Sequence, residues 1–530
     1  MRSLFSPETH RFLFLISLGI AICSLPLSRF TISVGIIALG VNWILEGDWH
    51  NKLHRIRSSG KVPLYLFILI YLILIVGMIY TSNHLYGIKE LKQKLPLLLV
   101  PLVFSSTKPL TGKELFLILV FFCFAVLVSS FYSTYLFFSN FVNGGSNIRE
   151  ISPFISHIRL GLMVNLSLFF SIFFVINPPY FRPKHFKFIF LAFAVWFTFF
   201  IFLLQSLTGI FIFFVTAIFF TVYFIFNTQK NILKVILFLS LLILLITSFV
   251  SLYVSVKNYF IRHEVDHDSL PALTVNGNNY QHITDNYQYE NGHRVWLFLC
   301  WPELEEQWAK RSVFPYDGND KLEQPLKLTL IRYLTSKGLT KDSLGIANLD
   351  DIDIKLIEAG STSVIFKEHR IGLYPRLYQL LWEIDQYINF GSISGSPLIQ
   401  RLVYIKASLI IINQNFWFGV GTGDFVDAFR SYYADNEPNL LPSFWYLSHN
   451  QFLTQWVALG FFGFLIFLVG WFAPFFLNRK HTRLLPLSFL IIFTLSMLNE
   501  DTLETHVGVS LAALFYGLFV FGTNSLEHKN

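Results

Sequence analysis

This sequence predicts an all-α polytopic membrane protein of about twelve transmembrane helices, with a large helical extracytoplasmic loop domain before the last three. Three observations carry that prediction. Of its 530 residues 54% are hydrophobic and 14% charged, with a mean hydropathy of +0.54, whereas soluble domains hold about 25% charged residues. Apolar runs of spanning or near-spanning length recur along most of the chain. The residues of mixed character are concentrated in one segment, about 257–449. A purely soluble enzyme is excluded. The net charge of +7 does not imply nucleic acid, because membrane proteins collect Lys and Arg on their cytoplasmic side.

The runs fall at about 12–27, 30–46, 64–81, 91–104, 115–138, 159–176, 186–205, 207–226 and 232–256, then at 452–476, 484–499 and 506–521. The first resembles a signal peptide but has no convincing small-residue cleavage site and is followed by many more spans, so it reads as a retained helix. The organisation expected is a nine-span bundle over 1–256, an extracytoplasmic domain over 257–449 and a three-span bundle over 450–530. Cys23 and Cys123 lie inside apolar runs, leaving Cys300 alone in a water-exposed segment, a set that builds neither a disulfide framework nor a thiolate metal site.

Charge between the runs sets the orientation. With a cytoplasmic N-terminus, seventeen Lys and Arg side chains fall inside, among them Arg2, the groups Lys52–Lys61, Arg182–Lys187 and Arg479–Arg483, and Lys529. The short outer loops hold five: Arg29, Lys89, Lys92, Lys94 and Arg149. This asymmetry obeys the positive-inside rule, so both termini are expected inside and 257–449 outside. Leu402–Ile412 is too short to span and carries Lys406. Were it to cross, the Arg479–Arg483 cluster would move outside, so it is expected at the membrane surface or against the outer domain.

Within the outer segment, 303–311, 325–337 and 373–389 show apolar residues at three- and four-residue spacing and read as helices. The stretches SLPALTVNGNNYQH and FGSISGSP read as loops. Asp350–Asp353 (DDID) resembles a metal-binding acidic motif, but an N-capped helix accounts for it better without a nucleotide sugar outside the membrane. GVGTGDF at 419–425 follows no strand, so it reads as a tight link between two helices, with Asp424 opening the second.

The topology gathers scattered polar residues on one face. Lys89, Lys92 and Lys94 lie outward, serving either lipid headgroups or an anionic ligand. His157 and Arg159 stand at the mouth of the sixth run, Arg401 and His449 precede the tenth, and Glu500, Asp501 and Glu504 fill the last outer loop. A charge kept at a span end that faces a bundle points to function for Arg159. The three acids either solvate a tight turn or balance the arginines. Most lone histidines, including His157, His263, His267, His282 and His293, read as structural.

His449 differs in its frame. HNQFLTQWVALGFFG opens with His449 and Asn450, leaves nine residues before Gly460 and two more between Gly460 and Gly463. This spacing resembles the signature of the O-antigen ligase and polymerase family of bacterial envelopes. QRLVYIKASLIIINQNFWFGVGTGDF (400–425), NEDTLETHVGV (499–509) and a large outer segment before the His are similar to the family in the same order. The resemblance implies a GT-C-type, metal-independent glycosyltransferase of the bacterial inner membrane that needs no cofactor. Its donor would be a glycan on undecaprenyl pyrophosphate. Its acceptor would be lipid A–core for a ligase, another lipid-linked repeat for a polymerase, or a protein hydroxyl for an O-oligosaccharyltransferase. Many relatives carry an Arg in a Ser-Arg-x-Gly turn at the seventh span; here the turn is SLTG, with Leu207 in that place. Arg159 is the candidate replacement.

The chemistry implied is displacement with inversion. His449 takes the acceptor proton, a role worth about 10²–10⁴ in rate. Arg159 and Arg401 grip the pyrophosphate, with Lys89, Lys92 and Lys94 as a looser collar. Asn450, His157, Glu500, Asp501 and Glu504 orient the base or the acceptor. A transporter of lipid-linked sugars is the rival class, but the spans carry almost no charge at mid-depth and the two halves are unlike.

Overall fold

The computed structural model describes residues 5–58, 61–142, 151–178, 183, 185–266, 270–369, 373–477 and 484–523. Arg2, Arg149, Arg182, Lys184, Arg479, Lys480, Arg483, Lys529 and His267 lie outside the described residues. Among the described residues the named elements are helices apart from one hairpin of two-residue strands, β1 (Tyr289–Glu290) against β2 (His293–Arg294).

The chain opens with α1 (Pro7–Ser24), α2 (Arg29–Glu46), α3 (Trp49–Ser58), α4 (Lys61–Gly77), α5 (His84–Lys94), α6 (Pro96–Ser106) and α7 (Gly112–Val142). Then come α8 (His157–Ile176), α9 (Phe186–Leu204), α10 (Leu207–Asn227) and α11 (Asn231–Tyr259). The middle segment holds α12 (Trp301–Arg311), α13 (Leu326–Ser336), α14 (Ser343–Ala347), α15 (Asp351–Glu358), α16 (Ile365–Glu368), α17 (Tyr374–Phe390), α18 (Pro397–Gln414) and α19 (Phe425–Asn436). The chain ends with α20 (Gln451–Leu477), α21 (Leu484–Asn499) and α22 (His506–Tyr516), which runs into a π-helical turn at Gly517–Phe521.

Each of the twelve apolar runs contains a helix, but fewer than twelve are long and apolar enough to cross a bilayer. Among the described residues seven pass by length and composition: α2, α7, α8, α9, α10, α11 and α20; an eighth arises if bent α3 and α4 count as one span. The reasons for the shortfall are local. α1 spends its first turns on Glu8, Thr9, His10 and Arg11. The fourth run is cut at Pro96 into polar α5 and an 11-residue α6, while α21 and α22 are short. The protein is a polytopic helical membrane protein.

α8 and α22 lie at the centre, α22 buried from Val507 to Tyr516. Helices apolar all round require such a setting or lipid. Near their N-terminal ends α8 and α10 come close through glycine: a Cβ on Gly161 would lie 3.6 Å from Gly209 Cα. Asn165 of α8 spans that contact, donating to Gly161 O at 2.8 Å and Gly209 O at 3.0 Å. In contrast, none of the best spanning window of α11 is buried.

The middle segment has its own apolar core between Val295 and Val364, built on Trp308, Leu330, Tyr333 and Ile357. The three helices read from periodicity are present as α12, α13 and α17, and α18 covers Leu402–Ile412 without being among the spanning helices. Cys300, expected in water-exposed sequence, is buried. At the DDID stretch, Asp350 and Asp353 form a reciprocal capping box on α15. Asp353 is further held by Lys337 and Lys367, both at 2.7 Å.

Another core joins α18 and α19 to Tyr71 and Leu74 of α4 and to the first turns of α20. Here 416–423 works as a clamp. Val420 N donates to Val457 O and Gly421 N to Ala458 O, both at 2.9 Å. Gly460 breaks α20 with φ 66° and ψ −172°, and Gly419 faces it with φ 71°. A Cβ on Gly419 would stand 2.4 Å from Gly460 N, a separation that leaves no room for any other residue. Asp424 precedes α19 as expected, yet its carboxylate does not cap that helix. It accepts from Ser82 N and Asn83 N, both at 2.7 Å, tying the clamp to the start of α5.

Candidate functional site

The Asn499–His506 loop joins α21 to α22, and its three acids organise two neighbouring clusters. Glu500 is at the centre of the first. Its Oε1 accepts from Arg401 Nη2 at 2.6 Å, its Oε2 lies 3.3 Å from His449 Nδ1, and Arg159 Nη1 is 3.9 Å away. Burial works against ionisation of this carboxyl, but His449, Arg401 and Arg159 outweigh it and hold it below the usual carboxylate range. The side chains of His449 and Arg401 remain 28% and 33% exposed, so a ligand can reach them.

His449 sits between Ser448 and α20 with φ 50°, a left-handed conformation that costs a non-glycine residue about 1–3 kcal/mol. Asp501 holds it there: Oδ2 accepts from His449 N at 2.8 Å, while Oδ1 accepts from Thr454 at 2.6 Å and Ser448 at 3.2 Å. Asp501 is buried, and burial pushes its carboxyl up. Asn450 caps α20, its Oδ1 accepting from Phe452 N and Leu453 N at 3.0 and 3.1 Å, and its Nδ2 donates to Leu498 O. The imidazole lies between Tyr404 and Tyr446, with ring centroids 5.5 and 5.9 Å away. A proton on Nδ1 directed at Glu500 leaves Nε2 with its lone pair.

Arg159 enters from the third residue of α8, whose first turn Ser156 caps. Its contacts are long: 3.5 Å to Asp501 O and 3.9 Å to Glu500. Arg159 and Leu207 each lie two residues before one of the touching glycines, Gly161 and Gly209, and so occupy matching places on adjacent helices.

The second cluster surrounds Glu504. Lys94 donates to both of its oxygens at 2.7 and 2.8 Å and lies 3.2 Å from Glu90. Gln451 adds a donor at 2.8 Å and accepts from Leu503 N at 2.6 Å. All three charged side chains are under 8% exposed. Burial and the nearby Glu90 raise the Glu504 carboxyl to about 7 against the pull of Lys94.

The structure thus joins His449, Arg159, Arg401, Glu500 and Asp501, with Asn450 beside them. Lys94 and Glu504 form the neighbouring closed cluster. Lys89 and Lys92 are exposed on α5, with Lys89 over the Tyr86 ring, and His157 lines a separate cavity. Tyr404, Ser448, Thr454 and Gln451 escaped the sequence reading. Tyr404 was within reach of it, since it lies three residues after Arg401 on a helical face.

His449, Arg401 and Arg159 thus converge on one buried carboxylate at one end of a helix bundle, a polar cluster in an otherwise apolar protein. Residues 370–468 match the O-antigen ligase family model. This segment contains Arg401, the Gly419–Gly460 contact, His449, Asn450 and Gly463. No curated protein matches the chain.

Proposed function

We propose that this protein transfers a glycan from undecaprenyl pyrophosphate to a hydroxyl of lipid A–core at the periplasmic face of the bacterial inner membrane, ligating O-antigen. In this reading both termini are cytoplasmic, about twelve helices cross or enter the bilayer, and 257–449 forms the periplasmic portion. The observation that carries the reading is the partly open cluster in which Glu500 joins His449 to Arg401 and Arg159.

The arrangement of these side chains supports the following steps. Glu500 accepts from Nδ1–H and keeps the Nε2 lone pair on the open side. Nε2 takes the proton of the acceptor hydroxyl as its oxygen attacks the anomeric carbon from the face opposite the leaving group. The anomeric C–O bond breaks, and its electron pair leaves on a pyrophosphate oxygen. That growing charge falls to Arg159 and Arg401, whose planar forks bind phosphate oxygens and stay charged. Glu500 then balances the imidazolium. The glycan arrives inverted, and no metal is needed, because pyrophosphate is already a good leaving group.

The test is a lipopolysaccharide gel of a deletion strain rescued with wild type or with His449→Ala. Ligation predicts loss of all glycan-capped lipid A–core and accumulation of lipid-linked polymer, without rescue by the variant. A single repeat left on the core would make the enzyme a polymerase. An unchanged gel would overturn the reading.

A further inference from the structure

A cavity of about 490 Å³ opens between the mouth of α8 and the helices of the middle segment, within the range of small-ligand pockets. Two of its lining residues locate it. His157 lies two positions before Arg159 on α8, and Pro397 lies four before Arg401 on α18. The cavity is therefore about one helical turn from both arginines that flank Glu500. It is a cavity of its own beside the His449 cluster, on the side of the middle segment.

Its walls define what it can hold. Arg332 is paired with Glu290 at 2.6 Å. Glu383 accepts from Gln379 Nε2 and from Leu398 N, both at 3.0 Å. Arg376 donates to Gln379 Oε1 at 2.7 Å, so the lining carries two carboxylates and two guanidinium groups, each engaged with a neighbour in the wall. What remains is neutral and able to donate or accept: Gln324, Thr362 and Ser392. Trp382 contributes an apolar ring half-covered by Arg332, whose guanidinium stands 4.3 Å from the ring centroid. The buried Trp382 indole N–H completes no well-formed hydrogen bond, although Glu290 lies close enough to sense it. An aromatic surface beside uncharged amides and hydroxyls suits a ligand with a C–H face and a rim of hydroxyl groups.

We propose that this cavity is a saccharide subsite, binding sugar rings next to the bond being formed. The identity of those sugars rests on the glycosyl-transfer reading; the site itself rests on its walls. The rings belong either to the acceptor or to the donor glycan.

The experiment uses the full chain in detergent and two lipid-free probes: core oligosaccharide released by mild acid from the host's lipopolysaccharide, and repeat oligosaccharide released from the lipid-linked donor. Saturation-transfer NMR and titration are run on wild type, Trp382→Leu and Thr362→Trp, the last filling the cavity from its rim. Wild type is expected to bind. Trp382→Leu weakens one probe about tenfold, and Thr362→Trp abolishes its binding. Loss confined to core oligosaccharide assigns the subsite to the acceptor, and loss confined to the repeat assigns it to the donor. Failure of wild type to bind either probe, or unchanged binding in both cavity variants, overturns the proposal. Because binding is read without turnover, a chain that binds but transfers nothing would refute only the glycosyl-transfer reading.

Discussion

Glu500 and Glu504 lie four residues apart on one loop, both buried and both facing cations, yet their surroundings differ. Glu500 faces a histidine and two arginines that remain partly open, one of them held only at 3.9 Å. Glu504 faces one lysine sealed in by Glu90 and Gln451. The first cluster keeps donor capacity unspent, as an incoming anion requires. The second spends all it has on holding α5, α20 and the loop together. Buried charge alone does not mark a working site.

That contrast can be broken or sharpened by substitution. The largest expected effect is His449→Ala, which lowers transfer by about 10²–10⁴ with an unchanged unfolding midpoint; a matching loss of stability would mean the open cluster is structural. Lys94→Met should do the opposite. It strands Glu504 and Glu90 and costs about 3–5 kcal/mol of stability, read by thermal unfolding. Arg159→Leu should lower transfer by about 10- to 100-fold, with partial recovery when Leu207→Arg is added; no recovery would end the idea that the two positions are interchangeable. Glu504→Gln sharpens the sealed cluster through pH. Burial and Glu90 push the folded carboxyl up from its ordinary 4.5 to about 7, so folding binds a proton between those values. Wild-type stability should fall as pH rises through that window, and the variant should lose the slope. Lys92→Gln, on the exposed face of α5, should change stability by no more than about 0.5 kcal/mol and leave transfer unchanged.

The helices were legible because apolar runs and three- and four-residue spacing survive in almost any environment. Which helix is buried was not. α11 has the higher hydropathy at 2.8 and shows no buried window, whereas α8 at 2.0 is 72% buried. Lipid accepts apolar side chains as readily as a protein core does, so hydropathy cannot separate the two. The better signal was the small and polar set on α8: Gly161, Asn165, Ser167 and Ser171. His449 stood out through its spacing to Gly460, a spacing now explained by the break in α20. Lys94 was grouped with Lys89 and Lys92 by sequence proximity, although Glu90 one turn earlier already suggested a local pair. Asp501's grip on the backbone of His449 depends on a left-handed turn that no pattern announces.

The clamp at 416–423 also bears on how the chain can be dissected. A fragment cut to residues 270–369 takes its whole apolar core along, since Trp308, Leu330 and Ile357 find their partners between Val295 and Val364. Extending the cut to residue 449 would export α18 and α19 without Tyr71, Leu74 and the first turns of α20. Such a fragment would present a greasy face and a torn backbone seam to water. Antigens or crystallisation targets are therefore better chosen from the shorter piece, and the longer one only with the membrane helices attached.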